Sequence, residues 1–419
     1  MKSLMQSLPY HPDHSAETIS QLPATAAVFA LYGEQGEPYI GRTPNLRGRL
    51  KRLFEPSPKH PRRLQLAGLV RRIEWRDVGS EFEALLVQFD LLEALYAAKD
   101  EPQEALKRMH LRAPSFVRYL GSNPYPRIAV TTRPSQRESD WAFGPFASGA
   151  AAEKFCDELL KLFLLRRCTE ELQCSEAHPG CVYGEMKMCL APCQLACTPE
   201  RYAEESSAVE RFLTTRGESR LAPLRAEREA AAASLEFEKA AEIHKEIERI
   251  ESVTAFAAEL VRPMSQLRTI VLQAAPDSPD SVSVFLFENG HFTGPAKFST
   301  LGMRIQNEQA GSTSLFAQPV MIEAIPEGAP GEPAKATRDQ LSERLKVALA
   351  ELDGGKENPS ATARQGHLAL LKRWYYRPEV KREGEIFFAN DDGKWPVKAL
   401  LRGVGRIAAK ALINAAATK

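Results

Sequence analysis

All seven cysteines of this 419-residue chain fall between Cys156 and Cys197, and no other feature narrows the fold as much. Thiols gathered in one stretch do not build a disulfide framework across a surface. In a reducing compartment they point to a metal or an iron–sulfur centre. That compartment is expected here. The N-terminal MKSLMQSLPYHPDHS has no apolar leader core, and no run of about 18 apolar residues could span a bilayer, so a cytoplasmic protein is predicted. Cys168, Cys181, Cys189 and Cys193 follow the spacing C-x12-C-x7-C-x3-C. Four thiolates suit a [4Fe–4S] cluster, and tetrahedral zinc would accept the same set. Cys174 and Cys197 are extra to that spacing. Cys156, on the preceding helix, reads as core.

The length predicts two to four domains. A formal net charge of +1 excludes a uniformly basic coat but not local patches. One such patch runs from Arg42 to Arg76, where eleven Lys and Arg stand against Glu55 and Glu74. It suits phosphate contact, with a solvated helix face as the plainer alternative. Around it, AVFAL and YIG flank the turn GEQGEP and read as a hairpin. PNLRGRLKRLF is a helix with Leu46, Leu50, Leu53 and Phe54 on its apolar side, RRIEWRDV a strand, and EFEALLVQFDLLEALYAA a strong helix. Further on, RIAVTTR reads as a strand, FGPFAS as a turn, and AAAEKFCDELLKLFLLRRC as a helix. From Arg201 to Phe256 the pattern is helical, broken near Gly217 and ending in a helical hairpin. LRTIVLQ, SVSVFLF and FTGPAKF are strands, with ENGH a tight turn. A helix follows near Arg338–Leu352, and VKALLRGVGRIAAKALINAA closes the chain as another. Within it, LLRGVGRIAAKAL has the look of half a helix-hairpin-helix. RWYYR interleaves cations and aromatics but reads rather as a helix or strand edge.

Three of these segments carry a family resemblance. AVFALYGEQGEPYIGRTPNLRGRLKRLF resembles the GIY-YIG nuclease module, with Ala27-Val28-Phe29 and Tyr39-Ile40-Gly41 at its two name-giving tripeptides. The resemblance implies catalytic positions at Phe29, Tyr39, Arg42, Arg49 and Gln88. Phosphodiester hydrolysis uses a phenol to move a proton, an arginine to meet developing charge and a divalent ion as Lewis acid. Two positions are degenerate: Phe29 lacks the phenol, and Gln88 stands where the family holds Mg²⁺ or Mn²⁺ with a glutamate. Glu81, two turns away at roughly 10 Å, is not expected to substitute. Arg47, Arg49, Lys51, Arg52, Arg62 and Arg63 are expected DNA contacts. LLKLFLLRRCTEEL, HPGCVYGEMKMCLAPC and the upstream FGPFAS resemble the UvrC segment that ligates a [4Fe–4S] cluster, which favours that cluster over zinc. SLEFEKAAEIHKEIERI is similar to the UVR motif. That implies a UvrB-like partner docked through Leu235, Phe237, Ile243 and Ile247.

The resulting expectation is a multidomain α+β protein: a flexible lead-in at 1–19, a GIY-YIG-like α/β domain at 20–110, a cysteine-cluster helical region at 111–200 and a UVR-like hairpin at 201–258. An α/β region resembling the segment that links UvrC to its second nuclease follows at 264–355, then a region of unassigned role at 356–419. No acidic triad of that second, RNase H-like nuclease is recognisable. The implied function is DNA binding in nucleotide excision repair with a weakened nuclease site. The alternatives are a short endonuclease making one metal-dependent incision, or a metal-stabilised interaction protein that does not act on DNA.

Overall fold

The structure is a computed structural model and describes residues 4, 6–55, 66–133, 140–276, 278, 280–303, 337–353, 359–390 and 392–417. Two compact units divide it. One comprises Met1–His110, Arg268–Leu370 and Arg377–Lys419, the other Leu111–Leu267 with Leu371–Tyr376.

The first unit opens with β1 (Gln6–Pro9), α1 (Ser15–Gln21), β2 (Ala27–Gly33), β3 (Tyr39–Thr43), α2 (Leu46–Phe54), α3 (Leu66–Leu69), β4 (Val70–Asp77), α4 (Glu81–Ala97) and α5 (Glu104–Arg108). The strands form an antiparallel sheet in the order β1-β4-β2-β3. The lead-in is therefore not loose: β1 closes one edge and α1 packs below. Its strand is short and mostly exposed, so it carries no alternating signal. β2 is buried on both faces, which explains its unbroken apolar run. Ala27, Phe29 and Leu31 meet Leu46, Leu50 and Phe54 of α2, while Val28 meets Ala84 and Val87 of α4. Asn45 caps α2 by accepting from Gly48 N–H at 2.7 Å. Ser80 caps α4 by accepting from Glu83 N–H at 3.0 Å, and the Glu83 carboxylate reaches back to Gly79 N–H at 2.9 Å.

The second unit holds β5 (Ser115–Leu120), β6 (Arg127–Thr131), β7 (Asp140–Phe146), α6 (Gly149–Leu159), α7 (Val182–Glu185), α8 (Pro199–Thr214), α9 (Glu218–Ala233), α10 (Phe237–Thr254) and β8 (Arg262–Pro263). Its sheet order is β6-β5-β7-β8, antiparallel throughout. FGPFAS, expected as a turn, begins within β7. Phe143 and Phe146 are both buried against Phe155, and that aromatic burial outweighs the Gly-Pro signal. The helix after it carries Cys156 but also stops short of Cys168, at Leu159. Beyond it Arg166 pins the chain in irregular form. Its N–H donates to the Tyr202 hydroxyl at 3.1 Å, and its guanidinium donates to the carbonyls of Tyr125 and Glu170, each at 2.9 Å. The α9–α10 hairpin packs through Ile243, Ile247, Ile250 and Val253 onto the same core as Tyr202 and Phe212.

The first unit resumes with β9 (Thr269–Ala274), β10 (Ser281–Glu288), β11 (His291–Ser299), α11 (Arg338–Asp353), α12 (Ala361–Tyr375, whose last turn from Leu371 belongs to the second unit), β12 (Glu385–Phe388) and α13 (Val397–Ala417). The sheet runs β11-β10-β9-β12, and α11 and α13 cover one face. Asn289 and Gly290 at the tip of the β10–β11 hairpin take φ of 53° and 79°, the tight turn that ENGH predicts. α13 runs unbroken through Gly403 and Gly405, so the half helix-hairpin-helix reading is corrected. Gly403 serves packing: a Cβ there would lie 2.5 Å from Phe387 Cζ.

These late elements close over α4. Phe82 meets the ring edges of Phe285 and Phe292 at centroid distances of 6.0 and 5.3 Å. Gly366 of α12 lies against Phe89, where a Cβ would stand 1.9 Å from Cζ. Beside it His367 is fully buried. Its Nδ1 accepts from Phe292 N–H at 2.8 Å, so Nε2 carries the proton donated to Asp90 Oδ1 at 2.7 Å. Burial pushes the Asp90 carboxyl up, but the hydrogen bond from His367 outweighs it, and the net shift is downward. A depressed carboxyl stabilises fully above its ordinary range, and the contribution is lost as pH falls through the folded value. His367→Ala is expected to cost about 3 kcal/mol in denaturant unfolding, because it strips a partner from a buried carboxylate and a buried N–H. The stability gap between wild type and Asp90→Asn should shrink on acidification below the usual aspartate range. A loss near zero for His367→Ala would remove this contact from the account.

Candidate functional site

The positions singled out at the N-terminal sheet gather where β3 passes α4. The register pairs Leu31 with Tyr39, Phe29 with Gly41 and Val28 with Arg42. Phe29 is buried and its ring lies over Gly41, where a Cβ would come within 2.8 Å of Cζ. Tyr39 is 42% exposed, its ring 6.1 Å from that of Phe29. The phenol available to solvent is therefore Tyr39's.

Arg42 bridges two turns of α4. Its Nε donates to Gln88 Oε1 at 3.1 Å and its Nη1 to Glu81 Oε1 at 3.4 Å. Positions seven apart return to the same helix stripe, so Glu81 does share this face with Gln88. The expectation that Glu81 is too remote is corrected to that extent. Its carboxylate is nonetheless engaged by cations: Arg377 donates to Oε2 at 2.8 Å and to Oε1 at 3.1 Å. Arg377 ends the RWYYR stretch noted in the sequence, but its pairing with Glu81, 296 residues away in the chain, was not foreseen. The residue types alone, two guanidiniums and one carboxylate, suit an anion better than a dication.

The basic helix α2 divides in role. Arg47 Nε donates to Leu22 O at 2.6 Å, at the C-cap of α1, which makes it structural. Arg49 is partly exposed, and Lys51 and Arg52 are exposed. Arg62 and Arg63 lie outside the described residues.

In the second unit the cysteines sort into sets. Burial, helped by the neighbouring Cys168, Cys181 and Cys193 and opposed by the Ala191 N–H, pushes the Cys189 thiol up to about 11, so these four lie within electrostatic reach of one another. Cys174 and Cys197 instead flank Tyr125, whose phenol is raised by burial, then by Cys174 and Cys197. Cys156 is core, pushed up to about 12 by burial and by Asp157. Donors face two of the four sulfurs: Ala191 N–H to Cys189 Sγ at 3.3 Å and Arg166 Nη1 to Cys168 Sγ at 3.6 Å. Lys187, Ala191 and Leu195 hold positive φ of 55°, 49° and 55°, an accumulation of strain in one loop. As placed, no three His, Cys, Asp or Glu among the described residues stand close enough to hold a metal ion. The donor set, four sulfurs of which Cys189 and Cys168 have N–H groups aimed at them, fits a thiophilic centre in its chemistry.

At the α9–α10 turn Leu235 and Phe237 are 71% and 67% exposed. Ile243 and Ile247 are buried in their own chain's core, so the expectation that they face a partner is corrected. The hairpin uses that stripe to hold itself in place.

Comparison with known proteins places the centre of the chain. Residues 116–212 match the UvrC/Cho excinuclease middle domain, and residues 218–253 match the UvrB/uvrC motif. The second unit thus combines an excinuclease-type middle domain with a UVR hairpin. Over these segments the chain is similar to UvrC-type proteins. It is 29% identical over 286 residues to the UvrABC system protein C of Ruminiclostridium cellulolyticum, covering 67% of this chain and 45% of that one. With the Alcanivorax borkumensis protein of the same name it shares 31% over 223 residues, 53% of this chain and 36% of the relative. With that of Carboxydothermus hydrogenoformans it shares 25% over 363 residues, 85% and 57%. The chain spans about half the length of these curated relatives or less. No solved structure matches it. No helix among the described residues is long and apolar enough to cross a membrane.

The Phe29–Gly41 contact gives a direct check on the sheet. Gly41→Ala should lower stability by about 1–3 kcal/mol through overpacking. In a Phe29→Leu background the same change should cost markedly less, a coupling that a double-mutant cycle in urea reads out.

Proposed function

We propose that this protein is a UvrC-like DNA-binding protein of nucleotide excision repair, whose N-terminal GIY-YIG-like site grips the phosphate backbone but is poorly equipped to cut it. The observation that carries the reading is the UvrC middle domain followed directly by a UVR motif. The site face supports it: Tyr39, Arg42 and Arg49 supply a phenol and cations, while the glutamate that would hold a divalent ion is Gln88. Cys168, Cys181, Cys189 and Cys193 would ligate a [4Fe–4S] cluster, with zinc the alternative. Such a centre would cross-link a loop that has little regular structure of its own, and its binding would release the thiol protons. The exposed Leu235 and Phe237 offer an apolar contact for a UvrB-like partner.

A second reading, a short active endonuclease, draws on the solvent-facing Tyr39 phenol beside Arg42. Plasmid and damaged-duplex assays with Mg²⁺ or Mn²⁺ separate the two. The wild type should bind duplex in a salt-dependent way without cutting. Arg49→Ala should weaken binding and reduce the slope of log K against log salt by about one. Cutting by the wild type that vanishes in Arg49→Ala would establish the endonuclease instead. No DNA binding at any salt would dismiss both.

Metal analysis after anaerobic purification tests the cysteines. About four iron and four sulfide per chain are expected, with broad visible absorption lost in a Cys189→Ser variant. One zinc and no iron would replace the cluster with a structural zinc site.

A further inference from the structure

A hard dication is drawn from water by charged oxygen, and this site has one carboxylate to offer on the α4 stripe, that of Glu81. Arg377 grips both of its oxygens, at 2.8 and 3.1 Å, and Arg42 adds a contact to Oε1 at 3.4 Å. The oxygen at position 88 is a neutral amide carbonyl, and it accepts from Arg42 Nε at 3.1 Å. We propose that Arg377 stands in this site in place of the divalent cation, making it a metal-independent holder of one phosphodiester group. The proposal rests on the reading above that this face meets a nucleic-acid backbone.

The chemistry runs in one direction. A dication arriving here would have to separate two guanidiniums from Glu81 and then sit beside them. A phosphodiester meets the opposite field. Arg42 and Arg377 face it with two guanidiniums oriented by Glu81, with Glu383 also within electrostatic reach of Arg377, and planar forks match the spacing of phosphate oxygens. The group is accessible: the side chains of Glu81, Arg42 and Arg377 are 44%, 36% and 26% exposed. Glu81 then acts as an internal counter-ion, orienting both arginines before the phosphate arrives. Gln88 fits the same scheme. A glutamate there would add a further negative charge against Arg42, whereas the amide positions Arg42 and leaves its charge in place.

The test uses the full chain as wild type, Arg377→Ala, Arg377→Lys, Gln88→Glu and Gln88→Glu/Arg377→Ala, each checked for an unchanged thermal melt. Mn²⁺ is titrated without DNA and followed by the electron paramagnetic resonance of the free ion. Duplex binding is followed by fluorescence anisotropy in EDTA across a salt series. Gln88→Glu alone should take up Mn²⁺ weakly, and the double variant about tenfold more tightly, the change expected when one nearby like charge is removed. Arg377→Ala should lose affinity for duplex in EDTA and reduce the salt slope by about one, while Arg377→Lys keeps the slope. If the double variant binds Mn²⁺ no better than Gln88→Glu, or Arg377→Ala leaves the slope unchanged, the assignment is overturned. Should the wild type bind no duplex at all, the DNA-binding reading falls, and the Mn²⁺ titration alone decides whether Arg377 replaces the cation.

Discussion

Helix α4 buries side chains all around its circumference, and a helix of that kind must be covered on every side. One side lies on β2 through Val28, Ala84 and Val87. The other is covered by residues that follow Leu267, where the main stretch of the second unit ends: Phe285, Phe292, Gly366 and His367. The Asp90–His367 hydrogen bond sits within that cover, and the backbone N–H of Phe292 fixes the imidazole tautomer it requires. The first unit is thus one folded body built from both ends of the chain. Arg377, just beyond α12, reaches Glu81 because α12 is held here.

Much of this was legible in sequence because the signals were local. The apolar run of β2, the amphipathic spacing of α2, the Asn-Gly turn and the helices flanking Gly217 each depend on neighbours a few residues away.

What escaped depended on distance in the chain or on competing uses of one signal. β1 is four residues at a sheet edge, too short and too exposed for a period to show. Gly144-Pro145 reads as a turn locally, yet the buried Phe143 and Phe146 keep it in a strand. Gly403 and Gly405 suggested a phosphate-binding hairpin, whereas Gly403 admits the Phe387 ring. Ile243 and Ile247 have the spacing of a partner face and serve their own core instead. Nothing near Arg377 marks it as a neighbour of Glu81, because that pairing exists only after the sheets have formed.

The order of synthesis gives the Asp90–His367 contact a further meaning. Its partners are 277 residues apart, and the second unit is translated between them. Emerging from the ribosome, the N-terminal sheet would have its α4 side uncovered while the middle unit, whose core is nearly contiguous in sequence, can already close. A long interval with apolar surface exposed is the situation in which nascent chains depend on holding chaperones. The N-terminal sheet is therefore made before the middle unit and finished after it.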